Sequence, residues 1–85
     1  MPDVQLTRRA KNDLADLPAT VREAVLETLD LISREPERAG KQLLGRMKGL
    51  WSARVGNYRV LYTMAASQII IRAIRHRAVA YHRPH

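Results

Sequence analysis

The sequence predicts an α+β fold in which two N-terminal antiparallel helices pack on a mainly antiparallel β-sheet of about four strands, in the order β-α-α-β-β-β. Three observations indicate this fold: helical apolar spacing before residue 36, alternating apolar strands after residue 50, and a Gly-Asn turn between two of those strands. At 85 residues, the chain is expected to form a single domain over residues 1–85, with one hydrophobic core.

The first part of the chain predicts a short strand and two helices. Residues 4–6 alternate as a strand does, and Thr7 is well placed to be the N-cap of the next helix. Apolar residues then recur at i, i+4 and i+7 until Pro18 ends the pattern. Residues 20–23, Thr-Val-Arg-Glu, predict a capping box at the start of a second helix, which stops before Pro36.

Residues 51–62 predict a β-hairpin whose register follows from its turn. Gly56-Asn57 is a two-residue connection of the kind that allows positive φ. Counting outward from this turn places Arg54 directly opposite Arg59, while the large apolar side chains share the other face and are expected to pack on the helices. Like charges opposite each other destabilise a sheet. Either a phosphate lies between the two guanidinium groups, or the side chains spread into solvent.

The remaining elements are a connection and further strands. Residues 36–50 are expected to form a connection, because three glycines interrupt them. Strands are predicted at about 50–55, 58–64 and 68–75. The sheet face that carries Ser52 and the facing arginines is then left open, because the helices cover the opposite face.

The charge is distributed unevenly along the chain. All eight carboxylates lie at or before residue 37, whereas residues 41–85 contain nine Lys and Arg and no carboxylate. This half of the chain cannot pair its own cations, which indicates a surface for a polyanion, most simply nucleic acid. A generically basic surface is the alternative. The residues expected to contact RNA are Lys41, Arg46, Lys48, Arg72, Arg77 and Arg83.

Several classes of site are disfavoured by the residues present. The chain has no cysteine, so it has neither a disulfide framework nor a thiolate metal site. With no carboxylate beyond residue 40 and no acid near the histidines, no metal and no cofactor are expected. No apolar run approaches the ~18 residues of a membrane span, and the N-terminus lacks the apolar region of a signal peptide. We therefore expect a cytoplasmic protein without a membrane partner.

A cluster of cations with two groups able to move protons remains as the candidate site. Arg54, Arg59 and Arg75 offer guanidinium forks that match phosphate oxygens. His76 and Tyr81, near the end of the last strand, are candidates for an acid, a base or a stacking group. Each of these two also has a purely structural interpretation, as a histidine at a strand end and a surface aromatic.

Two blocks of the sequence, LLGRMKGLWSARVGNYRVLY and IRAIRHRAVAYHR, closely resemble the RelE group of the RelE/ParE toxins. These are small basic members of bacterial type II toxin–antitoxin pairs, and the resemblance covers essentially the whole chain. It implies a RelE-like fold of two helices on an antiparallel sheet. It also implies an activity, because RelE-like toxins enter the vacant A site of a translating ribosome and cleave the mRNA there. That reaction needs no metal: the ribose 2′-OH attacks the adjacent phosphate and the 5′-oxygen leaves.

The resemblance also implies roles for four residues. Arg54 would lie among the groups that neutralise the phosphorane, and Arg59 would contact the scissile phosphate. Arg75 would assist the leaving oxygen. Tyr81 would stack on or orient the nucleotide, and is also a candidate base.

One position departs from the family pattern. Some members carry a lysine where this chain has Ser52. The general base therefore stays open among Tyr81, His76 and Lys48. Loss of one charge-stabilising donor typically lowers a rate by about 10²- to 10³-fold, so slower cleavage is expected rather than none.

The resemblance implies partners as well. They are a cognate RelB-like antitoxin whose acidic segment wraps the toxin, the 70S ribosome with its A-site mRNA, and promoter DNA contacted through the antitoxin. Two alternatives remain. A ParE-like inhibitor of DNA gyrase would share the fold but would have no chemical need of the arginines and the tyrosine. A non-catalytic RNA-binding relic is kept open by Ser52.

Overall fold

The computed structural model describes residues 3–45 and 49–77 and confirms the predicted α+β fold. Its sheet has the order β1-β5-β4-β3-β2, with β1 parallel to β5 and the other neighbours antiparallel. The described part of the chain has five strands instead of about four, because β2 forms inside the predicted connection. The elements are β1 (Asp3–Leu6), α1 (Arg8–Ala15), α2 (Ala19–Arg34), α3 (Pro36–Ala39), β2 (Lys41–Gln42), β3 (Trp51–Val55), β4 (Tyr58–Ala65) and β5 (Gln68–His76).

The two predicted helices form, with one correction. The Thr7 side chain accepts the Ala10 N–H at 3.1 Å, as expected of an N-cap. The predicted capping box is wrong, because α2 begins at Ala19 and Pro18 occupies its N-cap position without a side-chain hydrogen bond. Among the described residues, no helix is both long enough and apolar enough to cross a membrane.

The Arg22 guanidinium ties α2 to the end of α1. It donates to the carbonyl oxygens of Leu14, Ala15 and Leu17 at 3.2, 3.0 and 2.8 Å. Carbonyls at the C-terminus of a helix lack intrahelical donors, and a cation there is also favoured by the helix dipole. A residue that the sequence places inside a capping box therefore acts as a C-terminal cap for the preceding helix.

The core forms between the helices and one face of the sheet. Ala53, Val60 and Tyr62, on the face predicted to be buried, are fully inaccessible to solvent. They belong to one cluster with Val25 and Ile32 of α2. The hairpin also has the predicted register, with its turn glycine at a φ of 58°.

Strand β5 contains one more residue than β4 across from it. Leu61 pairs with Ala73, but the next residue of β4 pairs with Ile71, so Arg72 is left over as a β-bulge. The extra residue of a bulge shifts by one the alternation of side chains between the two faces of the sheet. Ile71 and Ile74, three residues apart, are therefore both buried in the core.

The Tyr62 hydroxyl anchors the segment between α2 and β2. It donates to the Pro36 carbonyl oxygen at 2.6 Å, and burial raises the pKa of Tyr62 to about 12. A Cβ added at Gly40 would lie 2.6 Å from this hydroxyl and 2.6 Å from the Ser52 carbonyl oxygen. Only glycine fits this approach, which holds the predicted connection against the sheet.

The predicted open position of Ser52 is wrong. This residue is 7% exposed, because Lys41 of β2 pairs beside it and Gly40 lies against its carbonyl group. The Ser52 hydroxyl is buried and has no hydrogen-bond partner in the structure. A buried polar group in this state costs about 1 to 3 kcal/mol.

We expect Tyr62→Phe to lower the free energy of unfolding by about 1 kcal/mol near neutral pH, because the Pro36 carbonyl loses its donor. The pKa of Tyr62 is raised from 10.0 to about 12 on folding. The stabilisation by the Tyr62 hydroxyl is therefore fully present below pH 10 and is lost as the pH rises through 12. Urea denaturation of both proteins measures the gap; a gap unchanged above pH 10 would contradict this assignment.

We expect Ser52→Ala to raise the free energy of unfolding by about 1 kcal/mol, because it removes a buried hydroxyl without a partner. Ser67→Ala, at an exposed turn position, is the matched control and should change stability little. Urea denaturation measures both variants. Destabilisation by Ser52→Ala would show that the hydroxyl is hydrogen-bonded in solution.

Candidate functional site

Three arginines stand in a row across the sheet face that points away from the helices. Arg54 of β3 pairs with Arg59 of β4, and Arg59 pairs in turn with Arg75 of β5. Residues paired directly across neighbouring strands project to the same face. The predicted pair is therefore part of a larger set, called here the arginine row, which consists of Arg54, Arg59 and Arg75.

His76 lies on the opposite face of the sheet from the arginine row. It pairs with Tyr58, and the two rings meet edge-on with centroids 5.1 Å apart. Tyr58 packs against the core on the helix side. Consecutive residues of a strand point to opposite faces, so the imidazole is separated from the arginines with which the sequence groups it.

A fourth arginine binds a side chain on the same sheet face as the row. The Nε of Arg72 donates to the Thr63 hydroxyl at 3.1 Å, and Thr63 shares a face of β4 with Arg59 because four residues separate them. At the other end, the exposed Arg54 side chain donates to the Gly56 carbonyl oxygen at 3.3 Å. Both arginines are thus oriented by neutral oxygen atoms and keep their charge available to an anion.

A cleft of about 500 Å³ adjoins the β3 end of the arginine row. Four cationic side chains line it, and none of its described lining residues is a carboxylate. The volume is within the range of small-ligand sites, and guanidinium groups favour phosphate. It can therefore accommodate a phosphate-bearing group such as a nucleotide. The lining residues are Arg38, Ala39, Gly40, Lys41, Leu43, Ser52, Arg54 and Arg59.

The other predicted binding residues are less closely grouped. Lys41 is exposed on β2 at the cleft. Arg77, just beyond β5, is exposed, and its backbone N–H donates to the Asn57 carbonyl oxygen at 2.6 Å beside the hairpin turn. The remaining three, Arg46, Lys48 and Arg83, lie outside the described residues, as does Tyr81, which was predicted to be catalytic.

Sequence reasoning misses Arg38 as a residue of the cleft. It lies in the part of the chain that contains the carboxylates, and it forms an ion pair with Glu35 at 3.1 Å. The available signal was the interval from Pro36 to Gly40, which is long enough for one helical turn with a proline at its start. That turn brings Arg38 to the edge of the sheet beside Lys41.

The carboxylates of this protein lie in the N-terminal half of the chain, whereas the arginine row is formed by the C-terminal half. Ion pairs of Arg9 with Asp13, Arg34 with Asp30, and Arg38 with Glu35 all form between residues 9 and 38. The strands that carry the row follow residue 50 and contain no acidic side chain. A sheet face on which positive charge is concentrated attracts anions.

Comparison with known proteins gives consistent results. Residues 4–81 match the family described as the ParE toxin of the type II toxin–antitoxin system parDE. The toxin RelG of Mycobacterium tuberculosis is 40% identical over 83 residues, which span 94% of this chain and 95% of the relative. Both comparisons cover nearly the whole chain.

Solved structures agree with these relatives. The toxin–antitoxin complex RelBE2 of Mycobacterium tuberculosis contains a chain 39% identical to this one, with a TM-score of 0.81 and coverage of 91% of this chain and 92% of that one. A chain of the archaeal RelE–RelB complex from Pyrococcus horikoshii is 28% identical, with a TM-score of 0.74 and coverage of 89% and 94%. The chain with this arginine row therefore belongs to the RelE/ParE family of toxins of type II toxin–antitoxin systems.

Proposed function

We propose that this toxin is a ribosome-dependent mRNA endonuclease that cleaves the message in the ribosomal A site. The observation that carries the proposal is the arginine row, with three guanidinium groups on adjacent strands and one face. Neighbouring strands are about 4.8 Å apart, so the row spans about 10 Å. This is enough to contact a phosphodiester and the groups on both sides of it.

The proposed reaction is metal-independent transesterification. The ribose 2′-oxygen attacks the adjacent phosphorus, its proton passes to a base, and the bond from phosphorus to the 5′-oxygen breaks. The products are a 2′,3′-cyclic phosphate and a 5′-hydroxyl, whose oxygen takes up a proton. The phosphate gains negative charge in the transition state, and fixed positive charges therefore bind the transition state more strongly than the substrate.

The position of each arginine in the row supports a division of roles. Arg59 is central and is assigned to the scissile phosphate. Arg54, on the cleft side, is assigned to the developing charge of the phosphorane. Arg75 lies at the other end of the row and is assigned to the leaving 5′-oxygen. Attacking and leaving oxygens lie on opposite sides of phosphorus in an in-line displacement, which favours a row over a compact cluster.

Tyr81 is our first choice for the group that stacks on the nucleotide and removes the 2′-proton. His76 is disfavoured in this role because it packs edge-on against Tyr58 on the helix side. Lys48 is the remaining candidate base. The residues proposed to bind RNA or the ribosome are Lys41, Arg46, Lys48, Arg72, Arg77 and Arg83.

An enzyme that destroys messages requires an inhibitor, and we assign this role to a RelB-like antitoxin. Its acidic segment would cover the arginine row and relieve the repulsion between paired like charges. Support comes from the related RelBE2 and RelE–RelB structures, which are toxin–antitoxin complexes. Promoter DNA would be bound through the antitoxin. The proposed location is the cytoplasm, where the ribosomes are.

We expect Arg59→Ala to lower the rate of A-site cleavage by about 10²- to 10³-fold, because it removes the central charge-stabilising donor. Primer extension on ribosomes paused with an empty A site measures the cut. Arg34→Ala is the matched control, since Arg34 is an exposed arginine on α2 and pairs with Asp30 on the same helix. This control should cleave at the wild-type rate.

Intact message after incubation with folded wild-type toxin would contradict the proposed activity. Inhibition of purified DNA gyrase by the same sample would then favour a ParE-like toxin, the class that the family description names. RNA binding with neither activity would indicate a non-catalytic relic. Equal rates for wild type and Arg59→Ala would remove the arginine row from the mechanism.

We expect Ser52→Lys to raise the cleavage rate by about 10²-fold, because it restores a cation that some family members have at this position. Ser52 lines the cleft beside Arg54, and the long lysine stem can carry its ammonium group from the buried backbone into the cleft. The same primer-extension assay measures the effect. A rate at or below wild type, in a variant that melts at the wild-type temperature, would contradict this expectation.

A further inference from the structure

Arg75 belongs to the arginine row only because β5 contains the bulge at Arg72. In an unbroken strand, residues four apart face the same side, so Ile71 and Arg75 would share a face. Ile71 is fully buried in the core on the helix side, whereas Arg75 pairs with Arg59 on the other side. The extra residue at Arg72 produces this change of face.

The bulge lies where β5 loses its neighbouring strand. Leu6 pairs with Ile71 at the end of β1, and the Thr7 N–H donates to the Ile71 carbonyl oxygen at 3.0 Å. In the described sheet, no strand continues along this edge of β5. Unpaired main-chain groups of a strand need other partners.

Helix α1 supplies those partners. The Thr7 hydroxyl donates to the Arg72 carbonyl oxygen at 2.9 Å, and Asp13 Oδ2 accepts the Ile74 N–H at 2.9 Å. The two hydrogen bonds hold the main chain on both sides of Ala73. Because Thr7 caps the helix that contains Asp13, the two anchors are fixed relative to each other.

Within the described residues, the hydrogen bond to Ile74 is the shorter of two polar contacts of the Asp13 carboxylate. It is partly buried and joins residues 61 apart in sequence. Asp13 also lies 3.9 Å from Arg9 Nε, and the Arg9 side chain is 60% exposed. A long, solvated ion pair of this kind contributes little to stability. The structural effect of Asp13 is therefore on the backbone of β5, next to Arg75.

We propose that Asp13, together with Thr7, is a positioning residue for Arg75. Its hydrogen bond to the Ile74 N–H holds the bulge in the form that directs the Arg75 guanidinium onto the face of the arginine row. This inference rests on the proposed nuclease function, but it requires no contact between Asp13 and RNA. An uncharged oxygen acceptor at position 13 is sufficient for this role.

The test is a double-mutant comparison of A-site cleavage rates. Asp13→Ala should lower the rate by up to about 100-fold, the scale of a misplaced contact to reacting atoms. In an Arg75→Ala background, the same change should have almost no further effect, because the group that it positions is gone. In an Arg54→Ala background, Asp13→Ala should keep its full effect.

Conservative and control variants separate positioning from general stability. Asp13→Asn keeps an oxygen acceptor and should recover most of the wild-type rate. Asp16→Ala makes the same charge change at the exposed C-cap of α1, and Arg9→Ala removes the long ion pair. Both should cleave at the wild-type rate. All rates are taken where circular dichroism shows each variant to be folded.

An equal loss from Asp13→Ala in the Arg75→Ala and Arg54→Ala backgrounds would overturn the inference, as would full activity of Asp13→Ala alone. A second readout does not depend on catalysis. The double substitution Arg59→Cys with Arg75→Cys, at positions that pair across β4 and β5, should allow a cross-link on oxidation. The yield should fall severalfold when Asp13→Ala is added, and an unchanged yield would also overturn the inference. Absence of cleavage by wild type would reject the nuclease proposal alone.

Discussion

The register of the three antiparallel strands that carry the arginine row is the constraint on which the site depends. Pairing like charges costs a few tenths of a kcal/mol for each pair. The same register buries Val60 and Tyr62 on the opposite face, and a slip by one residue would turn them to solvent. Full burial of one large apolar side chain contributes about 1.5 to 3 kcal/mol. The core therefore determines the register, and the arginines are held together despite their repulsion.

Hydrogen bonds between the sheet and the helical half of the chain support both ends of the arginine row. At the β3 end, Tyr62 binds the Pro36 carbonyl, and the close approach of Gly40 completes the wall of the cleft. At the β5 end, Thr7 and Asp13 bind the main chain around the bulge. Functional side chains are most accurately placed on rigid elements with supporting contacts. Here the helices give that support without contributing to the arginine row.

The separation of the carboxylates from the arginine row is relevant to the proposed function. Carboxylates pair with arginines among residues 9–38, whereas the strands that carry the arginine row contain cationic side chains but no carboxylates. Under the proposed function, the repulsion in the row is relieved in two states, by RNA phosphate in the active toxin and by an acidic antitoxin segment in the inhibited one. The two ligands would compete for one face, so inhibition would follow directly from the electrostatics of catalysis.

The sequence by itself determined the fold class, the hairpin and the pairing of Arg54 with Arg59, because a Gly-Asn turn and strict alternation are local signals. It did not determine the burial of Ser52, which depends on a two-residue strand that pairs beside it. It also grouped His76 with the arginines, although tertiary structure places the two on opposite faces. The position of Arg75 depends on a bulge stabilised from residues more than 60 positions away. Such long-range main-chain contacts leave no periodic signal in the sequence, so only the folded structure decides them.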